Sequence, residues 1–250
     1  MHTGVLPRKD PFRGVVMTAP ALDLSVVRLK LTKMTDRILM RLHDRAGFPL
    51  NRPVYQPGAI EIPSRPGISL FDFAIEGLEA YHASLGRYDF PDQFPLSEAA
   101  RSDAGLRRNA PVASTEKVEI ALRADLEAFY IREVLPRLCA EEDDPNSYGE
   151  TAYCDADLLE LLNERINVGR DIALAKVQRE PDLMQILADD ASLAERLTDR
   201  AREENVLADA ATAAERYSLD PGLARFVFRW IIDRTLALEV EYLKRIGTMP

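Results

Sequence analysis

The spacing of apolar residues constrains the fold of this chain most, because it repeats with the period of an α-helix through most of the sequence. In the first long amphipathic segment, the apolar stripe consists of Val27, Leu31, Met34, Ile38 and Leu42. Spacing of this kind gives a helix one apolar face. No segment alternates between apolar and polar residues for long enough to predict a β-strand. The sequence therefore predicts an all-α protein.

Capping residues and prolines divide the sequence into helices and long connections. Five prolines exclude a continuous helix over residues 48–68, and residues 87–113 and 141–150 are polar loops. The predicted helices run from a cap at Asp23 to Ala46, over 70–86 after a cap at Ser69, from Ser114 to near Ala140 with a bend at Pro136, over 155–178 after a cap at Asp155, over 182–188, from a cap at Ser192 to Tyr217, and from Asp220 and Pro221 to Ile246.

The composition shows no break along these helices, so we predict one domain over residues 21–250. It is a multi-helix bundle with long Pro-rich connecting loops. Residues 1–20 are punctuated by prolines and are expected to form a loosely ordered N-terminal segment.

Charge and composition exclude several partners. The formal net charge of −9 argues against nucleic acid. No apolar run has the length of a membrane span, and the N-terminus lacks the apolar region of a signal peptide. We therefore expect a cytoplasmic protein without a membrane partner. The two cysteines and three histidines (Cys139, Cys154, His2, His43 and His82) match no metal-ligand spacing, so no metal ion is predicted.

Polar residues at helical spacing within apolar helices mark a candidate binding site. Arg165 and Lys176 are eleven residues apart, which returns them to nearly one face of a helix, about 16 Å apart. The other candidates are Arg28 in the first amphipathic segment, Asp199, Arg202 and Glu203 at i, i+3 and i+4, and Thr235 and Glu239 at i and i+4. Cations, acids and a hydroxyl together suit a small, multiply charged anion that also carries hydroxyl or ether oxygens.

Each candidate also has an ordinary structural interpretation. A lone arginine on a helix is usually solvated, and Asp199 and Glu203 could pair with neighbouring arginines on a helix surface. Thr235 could hydrogen-bond to a carbonyl of the preceding turn. Glu239 fits such an interpretation least well, because apolar residues surround it, whereas Glu241 lies about 200° further round the helix and can face water.

Short motifs follow one another in a fixed order from Arg28 to Leu243. They include Met-Thr-Asp-Arg-Ile at 34–38, Leu-Phe-Asp-Phe-Ala at 70–74 and Glu-Val-Glu-Tyr-Leu at 239–243, together with 44–48, 53–55, 90–95, 130–136, 155–178, 203–204 and 217–220. In order and spacing the chain resembles an all-helical chorismate mutase of the long type typical of fungi and plants. The resemblance implies rearrangement of chorismate to prephenate, on the way to tyrosine and phenylalanine. This concerted, unimolecular shift of an enolpyruvyl ether needs no cofactor, metal ion or covalent intermediate.

The resemblance also implies a role for each candidate residue. Arg28 and Arg165 would pair with the substrate carboxylates, which suits the fork of a guanidinium. Lys176 would donate to the ether oxygen and to one carboxylate. Glu239 would be the second donor to that oxygen, kept neutral by burial. Glu203 would bind the ring hydroxyl of the substrate, and Thr235 would bind one of its carboxylates.

Two positions depart from the long type. The long enzymes usually carry an amide at position 199 and an apolar residue at 202, so that Asp199, Arg202 and Glu203 instead resemble the short bacterial mutases. Asp199 could therefore help to bind the ring hydroxyl, and Arg202 could add a carboxylate contact. Two alternatives stay open. One is the same rearrangement on isochorismate or 4-amino-4-deoxychorismate, and the other is a non-catalytic helical protein that binds a ligand or regulates a partner enzyme.

The resemblance further implies a homodimer with an effector site at its interface. In the family this site uses two consecutive basic residues and an Asn–Gly–Ser loop, which here read Gly86-Arg87 and 146–150. Gly86 replaces a cation, and Glu150 replaces a small hydroxyl residue and would repel the carboxylate of an amino acid. We therefore expect a homodimer without control by aromatic amino acids.

Overall fold

The computed structural model describes residues 22–90, 92–98 and 117–248. Within these residues the regular structure is helical and contains no β-strand, which confirms the all-α prediction. The α-helices are α1 (Leu24–Ala46), α2 (Leu70–Ser84), α3 (Arg123–Phe129), α4 (Leu135–Leu138), α5 (Tyr148–Asn167), α6 (Gly169–Arg179), α7 (Asp190–Leu197), α8 (Arg200–Arg216) and α9 (Pro221–Thr248). A π-helical turn at Tyr130–Val134 joins α3 to α4, and 3₁₀ turns lie at Arg52–Tyr55, Arg87–Asp89, Pro145–Ser147 and Pro181–Gln185.

Several predicted helix ends agree with the structure. Asp23 and Ser69 cap α1 and α2, because their side chains accept from the backbone N–H groups of Ser25 and Asp72. Helix α9 begins at Pro221, as predicted, and it continues to Thr248. The predicted N-terminal segment 1–20 and the predicted helix start at Ser114 lie outside the described residues.

The core lies mainly between α1, α2, α5 and α9. Helix α5 contributes most, because apolar residues on more than one of its faces are buried: Leu158, Leu159, Leu161, Leu162 and Ile166. A second cluster joins α6 and α7 to the C-terminal half of α9 through Ala173, Leu174, Val177, Leu193, Leu197, Tyr242, Leu243 and Ile246. Among the described residues, none of the helices combines the length and the hydropathy of a membrane-spanning segment.

Asp155 was predicted to cap a helix, and this prediction is wrong. Helix α5 begins at Tyr148, so Asp155 lies two turns inside it and is fully buried. Its carboxylate accepts from Arg45 Nε at 2.7 Å, from the Tyr55 hydroxyl at 2.6 Å and from the Tyr130 hydroxyl at 2.6 Å. A buried charge needs such partners, and these join α1 and the π-helical turn to α5.

Two predicted long helices are each divided into two. The helix over 155–178 is interrupted at Val168, between α5 and α6. The helix predicted from Ser192 to Tyr217 consists of α7 and α8, and Ser192 lies inside α7, which Asp189 caps. Its interruption ends at Asp199, whose side chain caps α8 by accepting from Arg202 N at 3.0 Å. The short helix predicted over 182–188 is a 3₁₀ turn.

Gly169, at the start of α6, allows close approach to α9. A Cβ atom at this position would lie 2.9 Å from Thr235 Cγ2 and 3.3 Å from Leu238 Cδ2, so a larger residue would push the two helices apart. Because Arg165 lies one turn before this crossing and Thr235 lies at it, the glycine allows side chains of α5 and α9 to meet at one site.

Candidate active site

A cavity of about 320 Å³ lies between α1, α5, α6, α8 and α9, and this volume is in the size range of small-molecule sites. All eight polar residues proposed from the sequence line it: Arg28 on α1, Arg165 on α5, Lys176 on α6, Asp199, Arg202 and Glu203 at the start of α8, and Thr235 and Glu239 on α9. Apolar side chains that include Val27, Leu31, Ile172 and Leu236 complete the wall. The structure thus brings together residues that are far apart in the sequence.

Arg165 is a buried cation that forms no ion pair within 4.0 Å among the described residues. Its exposed fraction is 4%, and its Nε atom has no hydrogen-bond partner in the part of the chain that the structure describes. The pKa of Arg165 is lowered to about 10, chiefly by burial and also by the positive charge of Arg202, while Glu239 opposes the shift. Burying a guanidinium nitrogen without a hydrogen-bond partner costs free energy, and an anionic ligand can supply that partner. Arg165 is therefore suited to bind an anion.

Lys176 and Glu239 form a pair of donors in the same cavity. Lys176 Nζ lies 2.8 Å from Glu239 Oε2 and also donates to the carbonyl oxygen of Leu197. Burial raises the pKa of Glu239 to about 7; Lys176 opposes this shift, while the negative charge of Glu203 adds to it. Glu239 therefore has a substantial neutral population near pH 7, in which its O–H can act as a hydrogen-bond donor.

Three of the other candidates have local partners. Thr235 donates to the carbonyl oxygen of Ile231 at 2.7 Å, as its alternative structural interpretation foresaw. Asp199 is exposed and uses one oxygen as a helix cap. Glu203 pairs with Arg229 at 3.4 Å. These contacts leave Thr235, Asp199 and Glu203 at the cavity wall but occupy part of their hydrogen-bonding capacity.

Sequence reasoning missed several residues of the cavity wall. These are Thr32, Thr35, Asp36, Arg179, Asp209 and Arg216. Arg179 follows Lys176 at i+3, so helical spacing could have indicated it. Arg216 pairs with Asp36 at 2.6 Å across the far end of the cavity, and only the packing of α1 against α8 reveals that contact.

No metal site is present in the described residues, among which no three His, Cys, Asp or Glu side chains are arranged to hold an ion. The donors of the cavity are instead cationic and protonated groups, which suit oxyanions. That the reaction needs no cofactor stays a prediction.

Known proteins similar to this chain are chorismate mutases. A family model described as chorismate mutase type II matches residues 147–240, which include seven of the eight site candidates. The chorismate mutase of Trichoderma parareesei is 30% identical over 248 residues, which cover 89% of this chain and 92% of that protein. The chain belongs to the chorismate mutase family. The family and the enzyme class predicted from the motifs are thereby confirmed.

Solved chorismate mutases share the fold. The enzyme of Candida albicans, crystallised in complex with L-Trp, superposes with a TM-score of 0.83 at 26% identity, over 90% of this chain and 92% of that one. The chloroplast chorismate mutase of Zea mays gives a TM-score of 0.80 at 27% identity, over 92% and 97% of the two chains. The likeness therefore extends over nearly the whole of both chains.

Proposed function

We propose that this chain rearranges chorismate to prephenate in the cavity lined by Arg165, Lys176 and Glu239. The observation that carries the proposal is that the buried guanidinium of Arg165, whose Nε has no hydrogen-bond partner among the described residues, lines the same cavity as the Lys176–Glu239 pair. The reaction is unimolecular, so the protein has to hold the substrate in a compact conformation and stabilise the charge that develops as the ether bond breaks. Fixed cations and donors on five helices can do both.

The carboxylates of chorismate are assigned to the arginines. Arg165 supplies a desolvated fork at the cavity floor, and Arg28 is exposed on α1 at the entrance. Arg202, close enough to Arg165 to lower the pKa of that guanidinium, adds a further carboxylate contact. Thr235 can take part if its hydroxyl rotates away from the carbonyl oxygen of Ile231.

The ether oxygen is assigned to Lys176 and to neutral Glu239. Both donors lie on helices and are 2.8 Å apart, so one ether oxygen placed against both can accept a hydrogen bond from each. In a cavity shielded from water, such fixed donors stabilise developing negative charge more strongly than water does. Lys176, Glu239 and Arg165 are therefore the residues proposed to act in catalysis.

The ring hydroxyl is assigned to Glu203, with Asp199 as a secondary acceptor. Asp199 is exposed, and one of its oxygens is committed to capping α8. Glu203 is more shielded, with a side-chain exposure of 21%. The family membership supports chorismate over isochorismate and 4-amino-4-deoxychorismate, and the intact set of donors supports catalysis over a purely binding role.

A substrate comparison tests this proposal. Purified protein is incubated separately with chorismate, isochorismate and 4-amino-4-deoxychorismate, and the products are identified by mass spectrometry and NMR. We expect prephenate from chorismate, with the largest kcat/KM of the three. Preferred turnover of either analogue would reassign the substrate, and binding of chorismate without any product would support the non-catalytic alternative.

We also propose a homodimer in the cytoplasm. Helix α2 presents Phe73 and Tyr81 to solvent with exposures of 37% and 61%, and these rings form an apolar strip that a second copy could cover. One relative, from Zea mays, is named a cytosolic chorismate mutase and is 30% identical to this chain.

Aromatic amino acids are expected to leave the activity nearly unchanged. In this chain Arg87 is occupied internally: it pairs with Glu160 at 3.0 Å and with Glu164 at 3.4 Å, and its Nε donates to Gln93. With glycine at position 86 and a carboxylate at 150, the positions that hold an effector in the family lack free cations. Initial rates with millimolar tyrosine, phenylalanine or tryptophan should lie within about twofold of the control. Sigmoidal kinetics that tryptophan abolishes would contradict this expectation.

A further inference from the structure

Glu203 is contacted from outside the cavity by an arginine of the neighbouring helix. Nη1 of Arg229, on α9, lies 3.4 Å from Oε2 of Glu203, on α8, and Nη2 of the same guanidinium contacts Glu204. Arg229 does not line the active-site cavity. It lines a separate groove on the outer side of α9, together with Phe226 and Trp230. The carboxylate of Glu203 therefore lies between the cavity and Arg229.

We infer that Arg229 is a positioning residue that orients Glu203 and thereby sets how strongly the enzyme recognises the ring hydroxyl of its substrate. The inference rests on the proposed function, in which Glu203 accepts a hydrogen bond from that hydroxyl. A glutamate on a helix surface has several accessible rotamers. An ion pair to Oε2 from behind selects those in which Oε1 is directed to the cavity.

Its effect on substrate recognition distinguishes a positioning role of Arg229 from a role in stabilising the fold. Arg229 and Glu203 are 40% and 21% exposed, and a partly exposed ion pair adds little to the free energy of unfolding. The orientation of a carboxylate that contacts substrate has a larger effect, because a misdirected acceptor loses its hydrogen bond to the ligand and retains its desolvation cost. The consequence should therefore appear in KM and depend on the ring hydroxyl.

Arg225 provides a matched control one turn earlier on α9. Its Nη2 atom lies 3.2 Å from Glu204 Oε2, so it also links α9 to α8 at the surface. In the part of the chain that the structure describes, Arg225 pairs with Glu204 and not with Glu203. Arg225→Gln removes a similar surface link and leaves the contact to Glu203 intact.

The test compares two substrates, chorismate and an analogue in which hydrogen replaces the ring hydroxyl. The kinetic constants of the wild type, Arg229→Gln, Arg225→Gln and Arg229→Lys are measured on both. For Arg229→Gln we expect kcat/KM on chorismate to fall roughly 5- to 10-fold, mainly through KM, and kcat/KM on the analogue to change less than about twofold. Arg225→Gln should stay within about twofold of the wild type on both substrates, and Arg229→Lys should recover part of the loss.

Equal losses on both substrates would assign Arg229 a purely structural role and overturn the inference, as would an Arg229→Gln variant that behaves like Arg225→Gln. A wild type that does not rearrange chorismate would overturn the proposed function, and the inference with it. If thermal unfolding shows that Arg229→Gln is poorly folded, the kinetic constants of Arg229→Lys on the two substrates test the inference instead. The shorter reach of an ammonium should raise KM for chorismate alone, and an equal change on both substrates would overturn the inference.

Discussion

Replacing Arg165 by methionine is expected to lower kcat/KM for chorismate by about 10³-fold and at the same time to raise the melting temperature. The guanidinium is buried and forms no ion pair with any residue that the structure describes, and its lowered pKa reflects the cost of desolvating its charge. Methionine fills a similar volume without a charge, so the folded protein loses a destabilising group. The substrate carboxylate loses its partner in the same step. Steady-state kinetics and thermal unfolding of the same sample measure both changes.

Arg45 is the matched control for this variant, since it is also a fully buried arginine. It differs in being paired, with Asp155 at 2.7 Å, and it does not line the cavity. Arg45→Met should destabilise the fold by about 3–5 kcal/mol, because it leaves the Asp155 carboxylate buried without its cation. Near wild-type turnover in Arg165→Met would remove Arg165 from the mechanism, and a lower melting temperature would show that its guanidinium stabilises the fold.

The apolar periodicity of the sequence was sufficient to predict that the chain is all-helical. A polar residue surrounded by apolar neighbours on a strongly apolar helix, such as Glu239, has few places to lie other than a polar cavity. Glu239, Lys176 and Arg28 lie on different helices, and their meeting at one cavity followed from the family resemblance rather than from spacing.

Tertiary contacts decided the features that were predicted wrongly. Asp155 has the sequence context of a helix cap, and only the folded chain supplies Arg45, Tyr55 and Tyr130 as its partners. The interruption at Val168 lies where α6 crosses α9 closely, at a distance set by Gly169 and Thr235. No local pattern encodes a crossing between segments so far apart in the sequence.

Arg229 shows a second kind of feature that the sequence alone does not reveal. In sequence it is one of several arginines on the exposed side of an amphipathic helix, and its pairing with Glu204 is an ordinary surface contact. Its proximity to the outer oxygen of Glu203 depends on the register between α8 and α9, which the intervening turn and core packing determine. Residues that act through another residue are therefore harder to find from sequence than residues that line the cavity.

The pH dependence of activity should depend on a single proton on Glu239. Burial raises the pKa of Glu239 from its ordinary 4.5 to about 7, and only the neutral carboxyl can donate to the ether oxygen. Since kcat/KM reports ionisation in the free enzyme, it should fall about tenfold per pH unit above this pKa. Glutamine donates at every pH, so Glu239→Gln should retain activity and flatten the alkaline limb. Glu239→Ala should lose activity across the whole range, because no donor remains.

The pH dependence of the free energy of unfolding gives an independent measurement of the ionisation of Glu239. A carboxyl whose pKa is higher in the folded than in the unfolded chain binds its proton more tightly when folded. Its contribution to the free energy of unfolding is complete below about pH 4.5 and is lost as pH rises towards about 7. Glu239→Gln should remove this dependence of the free energy of unfolding on pH, measured by denaturant titrations at several pH values. It should also remove the alkaline limb of the pH–activity profile. The variant could instead lose the pH dependence of stability and keep the alkaline limb of the activity profile. Glu239 would then titrate as described while another group controls the rate, and the role of Glu239 as donor to the ether oxygen would be excluded.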